Sequence, residues 1–213
     1  MNPPGRYIAI EGPIGVGKTS LARTLARDLS ARLILEEIDG NPFLQLFYDD
    51  ADRYALPAQL HFLLARYRQQ REFAGRRTEQ AAVADYLFVK DRIFAGLNLA
   101  PAELALYKTI GGLIDTRLVA QPDLVVFMNA RVEVLAERLR KRNRDFERHI
   151  SLEYLDRVAS AFRDFFFEYD ATPLLVIETS AIDFVEDSDD LRDLTREIER
   201  VRTGVQHFVP RKR

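Results

Sequence analysis

Short apolar runs alternate along the chain with longer segments of helical spacing. Five of these runs predict buried strands, over residues 7–11, 32–37, 81–86, 123–128 and 174–179. Between them, apolar residues recur every three or four positions, which predicts helices over 17–30, 41–48, 57–72, 101–119, 131–142, 151–169 and 189–202. Strands that alternate with helices favour an α/β fold with a five-stranded parallel sheet flanked by helices.

The composition is that of an ordinary globular protein, with 47% hydrophobic and 30% charged residues among 213, a length that favours one domain over 1–213. The chain has no cysteine, which excludes a disulfide scaffold, a thiolate zinc site and a cysteine nucleophile. A net charge of −2 argues against a broad surface for nucleic acid or anionic lipid, and apolar runs are too short to span a bilayer. We therefore expect a cytoplasmic protein with no nucleic-acid or membrane partner.

Residues 12–19 read Gly-Pro-Ile-Gly-Val-Gly-Lys-Thr and fit the phosphate-loop pattern G-x-x-x-x-G-K-[ST], between a predicted strand and a predicted helix. Glycines there let backbone amides face phosphate oxygens, and the helix adds its positive end. Lys18 is expected to reach the β- and γ-phosphates, and Thr19 to coordinate Mg²⁺. The other nucleotide-binding candidates in this loop are Gly12, Gly15, Gly17 and Ser20. A guanine-reading Asn-Lys-x-Asp is missing, so an ATP-dependent kinase with a small acceptor is favoured over a GTPase.

From residue 36 onward the chain resembles the deoxynucleoside kinases, and the resemblance extends over nearly its whole length. Glu36-Glu37-Ile38 lies where that family has the Glu that serves as base for the nucleoside 5′-hydroxyl. The spacing favours Glu37, with Glu36 as the alternate. Tyr48, Gln59 and Arg66 keep the family spacing, which implies contact of Tyr48 with the sugar 3′-hydroxyl and reading of the base by the other two.

The rest of the resemblance lies in three later segments. Asp85 would be the acidic residue near the metal, and Asp91 would pair with the base-reading Arg66. The basic run 138–144 is similar to the family's arginine-bearing lid, which implies that Arg142 and Arg144 face the transferring phosphoryl and that Glu147 faces the sugar. Arg140 and Arg148 are expected to face water. Asp183 and Phe184 would lie in the loop that holds the adenine of ATP.

One departure from the family concerns the residue after Asp85. Many members have an Arg there, which steadies the catalytic carboxylate and the 5′ oxygen, whereas this chain has Tyr86. Arg92 is a candidate replacement. The sequences of residues 37–44 and 85–88 resemble the bacterial branch that acts on purine deoxynucleosides, and the resemblance to the family implies a homodimer.

Alternatives exist for these interpretations. Gln59 and Arg66 lie seven residues apart on one helix face, where polar groups need partners, and a ligand or a surface salt bridge could supply them. A nucleoside monophosphate kinase would have the same fold and loop, but needs further arginines for its acceptor phosphate. A nucleotide-binding module without catalysis would lack the carboxylate base or the lid arginines, and both are present.

Overall fold

A computed structural model of the chain describes residues 5–144, 147 and 150–210. Its sheet has six parallel strands in the order β2-β3-β1-β4-β5-β6. The strands are β1 (Tyr7–Glu11), β2 (Arg32–Ile34), β3 (Ala82–Ala84), β4 (Leu124–Asn129), β5 (Leu174–Glu178) and β6 (Val205–Phe208). The α/β class is confirmed, but the count of five strands is wrong. Residues 205–208 read Val-Gln-His-Phe, and this short, half-polar edge strand has no apolar run to predict it.

Within the part of the chain that the structure describes, the strands are connected by eight α-helices: α1 (Lys18–Asp28), α2 (Leu44–Asp49), α3 (Ala51–Gly75), α4 (Lys90–Asn98), α5 (Pro101–Gly112), α6 (Val132–Arg142), α7 (Leu152–Phe167) and α8 (Ser188–Arg200). Helix α3 begins earlier than the expected residue 57, because the Asp50 carboxylate accepts from Arg53 N at 3.3 Å and caps it. Ser151 caps α7 in the same way, accepting from Tyr154 N at 3.1 Å. No helix in these described ranges is long and apolar enough to cross a membrane.

The sheet is buried on both faces, as parallel sheets are. Every residue of β1 is buried, and a large apolar cluster packs α1, α6 and α8 against one face. A second cluster packs α4 and α7 against the other face, through a group of phenylalanines on α7. The strand order reverses next to β1, so a crevice opens there at the carboxyl ends of the strands, where open α/β sheets bind ligands.

Candidate active site

A cavity of about 890 Å³ opens at the carboxyl ends of β1, β2 and β3. It runs from α3 across the phosphate loop to the loop after β5. Most of the residues expected in the site line it, namely Gly15, Gly17, Lys18, Thr19, Ser20, Tyr48, Gln59, Arg66, Asp85, Arg142, Arg144, Glu147 and Asp183. The expected residues Gly12, Glu37, Asp91 and Phe184 lie behind or beside this lining.

The loop between β1 and α1 needs glycine for two physical reasons. Gly17 precedes α1 with φ 102°, a left-handed conformation that side chains rarely adopt. A Cβ at Gly17 would also lie 2.6 Å from Cζ of Phe184, and one at Gly15 would lie 2.8 Å from the Leu135 carbonyl oxygen. Phe184 is therefore a buried support under the loop, and it lies behind the cavity lining. Its neighbour Asp183 does line the cavity.

Lys18, the first residue of α1, folds back over the loop. Its Nζ donates to the Gly12 carbonyl at 2.7 Å and to the Pro13 carbonyl at 3.1 Å. Burial, followed by the positive charge of Lys90, lowers the pKa of Lys18 to about 8. A phosphate group at this loop would supply the negative charge that the Lys18 ammonium lacks among its carbonyl partners.

Thr19 and Asp85 form a compact pair of oxygen ligands beside the loop. Thr19 Oγ1 donates to Asp85 Oδ2 at 2.6 Å, and Asp85 Oδ1 accepts from the Glu36 amide at 2.7 Å. Within the described ranges, no three His, Cys, Asp or Glu side chains converge to hold a metal ion. One hydroxyl and one carboxylate fit Mg²⁺, which keeps several waters and is completed by substrate phosphates.

Glu36 is a nearly buried carboxylate that lines the cavity. Its side chain is 8% exposed; Oε1 accepts from Arg66 Nε at 2.7 Å and also from Nη2, and Oε2 accepts from Lys90 Nζ at 2.9 Å. Burial alone would raise the pKa of Glu36, but the charges of Arg66 and Lys90 hold it well below its usual range. Glu36 is therefore a fixed anion within the site.

Glu37, the expected base, lies outside the cavity. It is exposed, and its Oε1 accepts only a long hydrogen bond, 3.5 Å, from Gln69 Nε2 among the contacts of the described residues. The cause is the alternation of an extended chain, in which residues two apart share a face. Ile34 and Glu36 thus point into the protein, while Glu37 points to solvent. The structure favours the alternate, Glu36.

Two polar residues of α3 face the far end of the cavity, as their shared helix face predicts. Gln59 and Arg66 are 4% and 5% exposed, and Arg66 also stacks over the Phe62 ring at 5.0 Å. Arg66 Nη1 donates to Asp91 Oδ1, and this ion pair is buried, not on the surface. Asp91 lies behind Arg66 and does not line the cavity, so it orients the guanidinium from outside.

The Asp91–Arg66 pair is electrostatically strained on the Asp91 side. Burial raises the pKa of Asp91 above its usual value in spite of the Arg66 charge. Asp91 Oδ2 is buried and makes no hydrogen bond within the described part of the chain. This oxygen is therefore an unused hydrogen-bond acceptor beside the Arg66 guanidinium.

A third group of polar residues lies where α2 and the segment after α6 approach the cavity. Arg142 Nε donates to Glu147 Oε2 at 2.9 Å, and Tyr48, Arg144 and Glu147 line the same wall. Burial, followed by the neighbouring Tyr154 hydroxyl and Glu147 carboxylate, raises the pKa of Tyr48, so its hydroxyl stays neutral. Arg140 is exposed as expected, and Arg148 lies outside the described residues.

The sequence analysis missed three charged residues that organise the site. Glu11, 0% exposed, accepts from the Gly12 amide at 2.9 Å and the Leu87 amide at 2.8 Å. Lys90 bridges Glu11 and Glu36. Arg138 joins the phosphate loop to the loop after β5 by donating to Val16 O at 3.1 Å, to Thr179 and to Ile182 O at 3.0 Å. A charged residue at the end of a buried apolar strand was the available signal for Glu11.

Comparisons with known proteins agree on one family. The sequence profile described as "Deoxynucleoside kinase" matches residues 8–202. The deoxyguanosine kinase of Bacillus subtilis (strain 168) is 35% identical over 158 residues, which are 73% of this chain and 76% of that protein. The deoxyadenosine/deoxycytidine kinase of the same organism is 26% identical over 212 residues, 93% of this chain and 94% of that protein. The solved structure of deoxyadenosine kinase from M. mycoides superposes with a TM-score of 0.77 at 21% identity, over 91% of this chain and 98% of that one.

Proposed function

Because the chain belongs to the deoxynucleoside kinase family and is a transferase that phosphorylates a deoxynucleoside to its monophosphate with ATP, we propose that the cavity beside β1 performs this transfer at the 5′-hydroxyl. One observation carries the proposal. Lys18 of the phosphate loop, the Thr19–Asp85 pair and the Glu36 carboxylate line one continuous cavity. A phosphate donor, a metal ion and an acceptor hydroxyl can thus meet there.

Glu36, in place of Glu37, is the residue that accepts a hydrogen bond from the 5′-hydroxyl. A carboxylate within hydrogen-bond reach of the hydroxyl is sufficient, because phosphoryl transfer depends on positioning and charge neutralisation more than on covalent participation. The lowered pKa of Glu36 suits this role, since its carboxylate stays ionised and ready to accept. In a loose transition state the hydroxyl proton leaves late, so a strongly basic group is unnecessary.

The phosphoryl group itself is held by cations on both sides. Lys18 binds the donor phosphates from the loop, and the backbone amides of the loop add further donors. Arg142 and Arg144 approach from the lid and neutralise the equatorial oxygens as charge develops on them. The Arg142–Glu147 pair supports this arrangement, because it keeps Arg142 at the edge of the cavity before the substrate is bound.

Thr19 and Asp85 are the proposed Mg²⁺ ligands. When bound there, Mg²⁺ neutralises charge on the donor phosphates. The Thr19 hydroxyl and one Asp85 oxygen face the cavity, while the other Asp85 oxygen accepts from the Glu36 amide. This last contact fixes the distance between the metal side and the acceptor side.

A purine deoxynucleoside is the proposed acceptor. Gln59 offers a donor and an acceptor side by side, and Arg66 donates to a ring nitrogen or carbonyl oxygen. Tyr48 and Glu147 would hold the sugar 3′-hydroxyl. The names of the relatives support the purine assignment, because they include deoxyguanosine and deoxyadenosine kinases from several organisms.

A homodimer, a cytoplasmic location and a single domain over 1–213 complete the proposal. Membership of the family supports the dimer and the single domain.

A substrate panel tests the function directly. The four deoxynucleosides and their monophosphates are offered with ATP and Mg²⁺, and ADP release is followed for each. The proposal expects turnover of deoxynucleosides with deoxyadenosine or deoxyguanosine preferred. Turnover of a monophosphate in place of a nucleoside would establish a monophosphate kinase and overturn the acceptor assignment.

A further inference from the structure

Lys90 lies between two buried carboxylates at the floor of the cavity. Its Nζ is 2.9 Å from Glu36 Oε2 and 3.7 Å from Glu11 Oε1, and its side chain is 5% exposed. Glu11 is immobilised by two backbone amides, since each of its oxygens accepts one. Lys90 therefore extends from a fixed anion on β1 to the carboxylate that follows β2.

Two other residues of this segment, Tyr86 and Arg92, point away from Glu36. Tyr86, which follows the acidic Asp85, is 0% exposed, and its hydroxyl bonds to Gln69 and Gln70 beneath the end of β3. Arg92, two residues after Lys90, is exposed to solvent on α4. Lys90 is the cation that the described chain brings to Glu36 from this segment.

We propose that Lys90 is a positioning residue for phosphoryl transfer: it holds the Glu36 carboxylate in the orientation that receives the 5′-hydroxyl, which rests on the proposed role of Glu36. Both oxygens of Glu36 are then fixed from opposite sides, Oε1 by Arg66 and Oε2 by Lys90. A carboxylate held at two points cannot rotate about its terminal bond. Its free lone pairs keep one direction, and this direction is toward the cavity.

A neutral residue at position 90 would leave Glu36 with Arg66 alone. The carboxylate could then turn onto the guanidinium as a closed bidentate pair, which is the geometry that arginine favours. The contacts expected to bind the nucleoside, from Gln59, Tyr48 and Glu147, would be unchanged. The loss is therefore expected in the chemical step and not in substrate affinity.

The first experiment compares Lys90→Gln with Arg92→Gln, an exposed residue of the same helix. For Lys90→Gln we expect kcat to fall by about 10²-fold, with KM for the deoxynucleoside changed by less than about threefold. Arg92→Gln should retain wild-type kinetics. In a Glu36→Gln background the further loss from Lys90→Gln should be less than about threefold, because residues that act through each other are not additive.

A second variant separates charge from folding, since removing a buried cation can unfold a chain. The protein has no cysteine, so Lys90→Cys introduces one thiol that can be alkylated on the denatured chain before refolding. Treatment with 2-bromoethylamine places an ammonium at the end of a side chain of lysine length, and iodoacetamide gives a neutral amide. We expect the ammonium product to have at least about tenfold higher kcat than the amide product. Thermal melting checks that both are folded.

Three outcomes would overturn the role of Lys90: a kcat for Lys90→Gln within about threefold of wild type, losses from Lys90→Gln and Glu36→Gln that multiply, or equal kcat for the two alkylated products. The proposed function is judged separately on the wild-type enzyme. If wild type phosphorylates no deoxynucleoside, the function fails. If wild type phosphorylates a deoxynucleoside and any of the three overturning outcomes is observed, only the positioning role of Lys90 fails.

Discussion

Arg66 Nε donates a 2.7 Å hydrogen bond to Glu36 Oε1, which ties the residue that we propose reads the substrate base to the carboxylate that we propose binds the acceptor hydroxyl. The same guanidinium donates to Asp91, so three buried charges form one chain from α4 across α3 to the end of β2. A base bound at Arg66 thus contacts a group that also orients Glu36. Recognition and chemistry share one side chain in this site.

The first prediction concerns the two neighbouring glutamates. Glu36→Gln keeps the size of the side chain but removes its charge and its ability to accept a proton, so kcat should fall by about 10²–10⁴-fold. Glu37→Gln is the matched control and should retain kcat, since Glu37 is exposed and outside the cavity. Steady-state kinetics with a saturating deoxynucleoside measure both. A large loss in Glu37→Gln alone would show that the base is one residue further on.

A second prediction concerns Lys18. Removing its ammonium by Lys18→Ala should reduce turnover to less than a few per cent of wild type, because the charge on the donor phosphates loses its partner in the transition state. The fold should persist, since Lys18 donates only to loop carbonyls. Lys108→Ala, at an exposed position of α5, should change neither the turnover nor the fold. Retained turnover in folded Lys18→Ala would contradict the phosphate role.

A third prediction contrasts two glycines. Gly17→Ala places a Cβ 2.6 Å from Phe184 in a left-handed backbone, so the melting temperature and ADP affinity should both fall. The Cβ added by Gly96→Ala has no heavy atom within 4 Å, and the residue lies inside α4. The free energy of unfolding of this variant should therefore rise by about 0.5–1 kcal/mol. Denaturant unfolding measures both changes. Equal stability of the two variants would be inconsistent with the packing of Phe184 under the loop.

A fourth prediction concerns the metal. Asp85→Asn removes one negative charge from the Thr19–Asp85 pair, so the Mg²⁺ concentration for half-maximal rate should rise by about tenfold or more. Asp39→Asn, at an exposed position of the loop after β2, should leave this Mg²⁺ concentration unchanged. A magnesium titration at fixed ATP gives the answer. An unchanged titration curve for Asp85→Asn would remove Asp85 from the metal site.

The phosphate loop and the α/β class could be predicted from sequence because each depends on local information. Residues 12–19 carry their own backbone requirements, and the five predicted strands stand out as apolar runs. The choice between Glu36 and Glu37 could not be predicted from sequence, because it depends on where β2 ends. The strand ends at Ile34, and the two following residues continue its alternation, which assigns Glu36 to the interior.

Lys90 was missed for a different reason. In sequence it is one of many charged residues near the start of a helix, where solvation is the ordinary outcome. Its function depends on two anions that are distant in the chain, Glu11 on β1 and Glu36 after β2, and on the buried start of α4. Such long-range charge pairing follows from strand order, which the local pattern does not specify.

The last prediction concerns the base, and it follows from the Asp91–Arg66 pair. Asp91 Oδ1 accepts from Arg66 Nη1, and Asp91 lies behind the guanidinium and outside the cavity lining. Asp91 therefore acts on the base through Arg66, which it holds in place to donate to a ring nitrogen or carbonyl oxygen of a purine, beside the Gln59 amide. Sites whose buried polar groups need particular partners discriminate strongly against a base that leaves them unpaired.

We therefore expect kcat/KM to be highest for deoxyadenosine or deoxyguanosine, lower for deoxycytidine and lowest for thymidine. Asp91→Ala should reduce the ratio between the best substrate and thymidine by about tenfold or more, mainly by lowering the rate with the best substrate. The adjacent Arg92→Ala, on the exposed side of α4, should keep the wild-type ratio. A wild-type preference for thymidine would overturn the base assignment, because Gln59 and Arg66 are assigned to the edge of a purine. The phosphate chemistry at Lys18 and Thr19 does not depend on this result, since it is assigned from the phosphate loop and not from the contacts to the base.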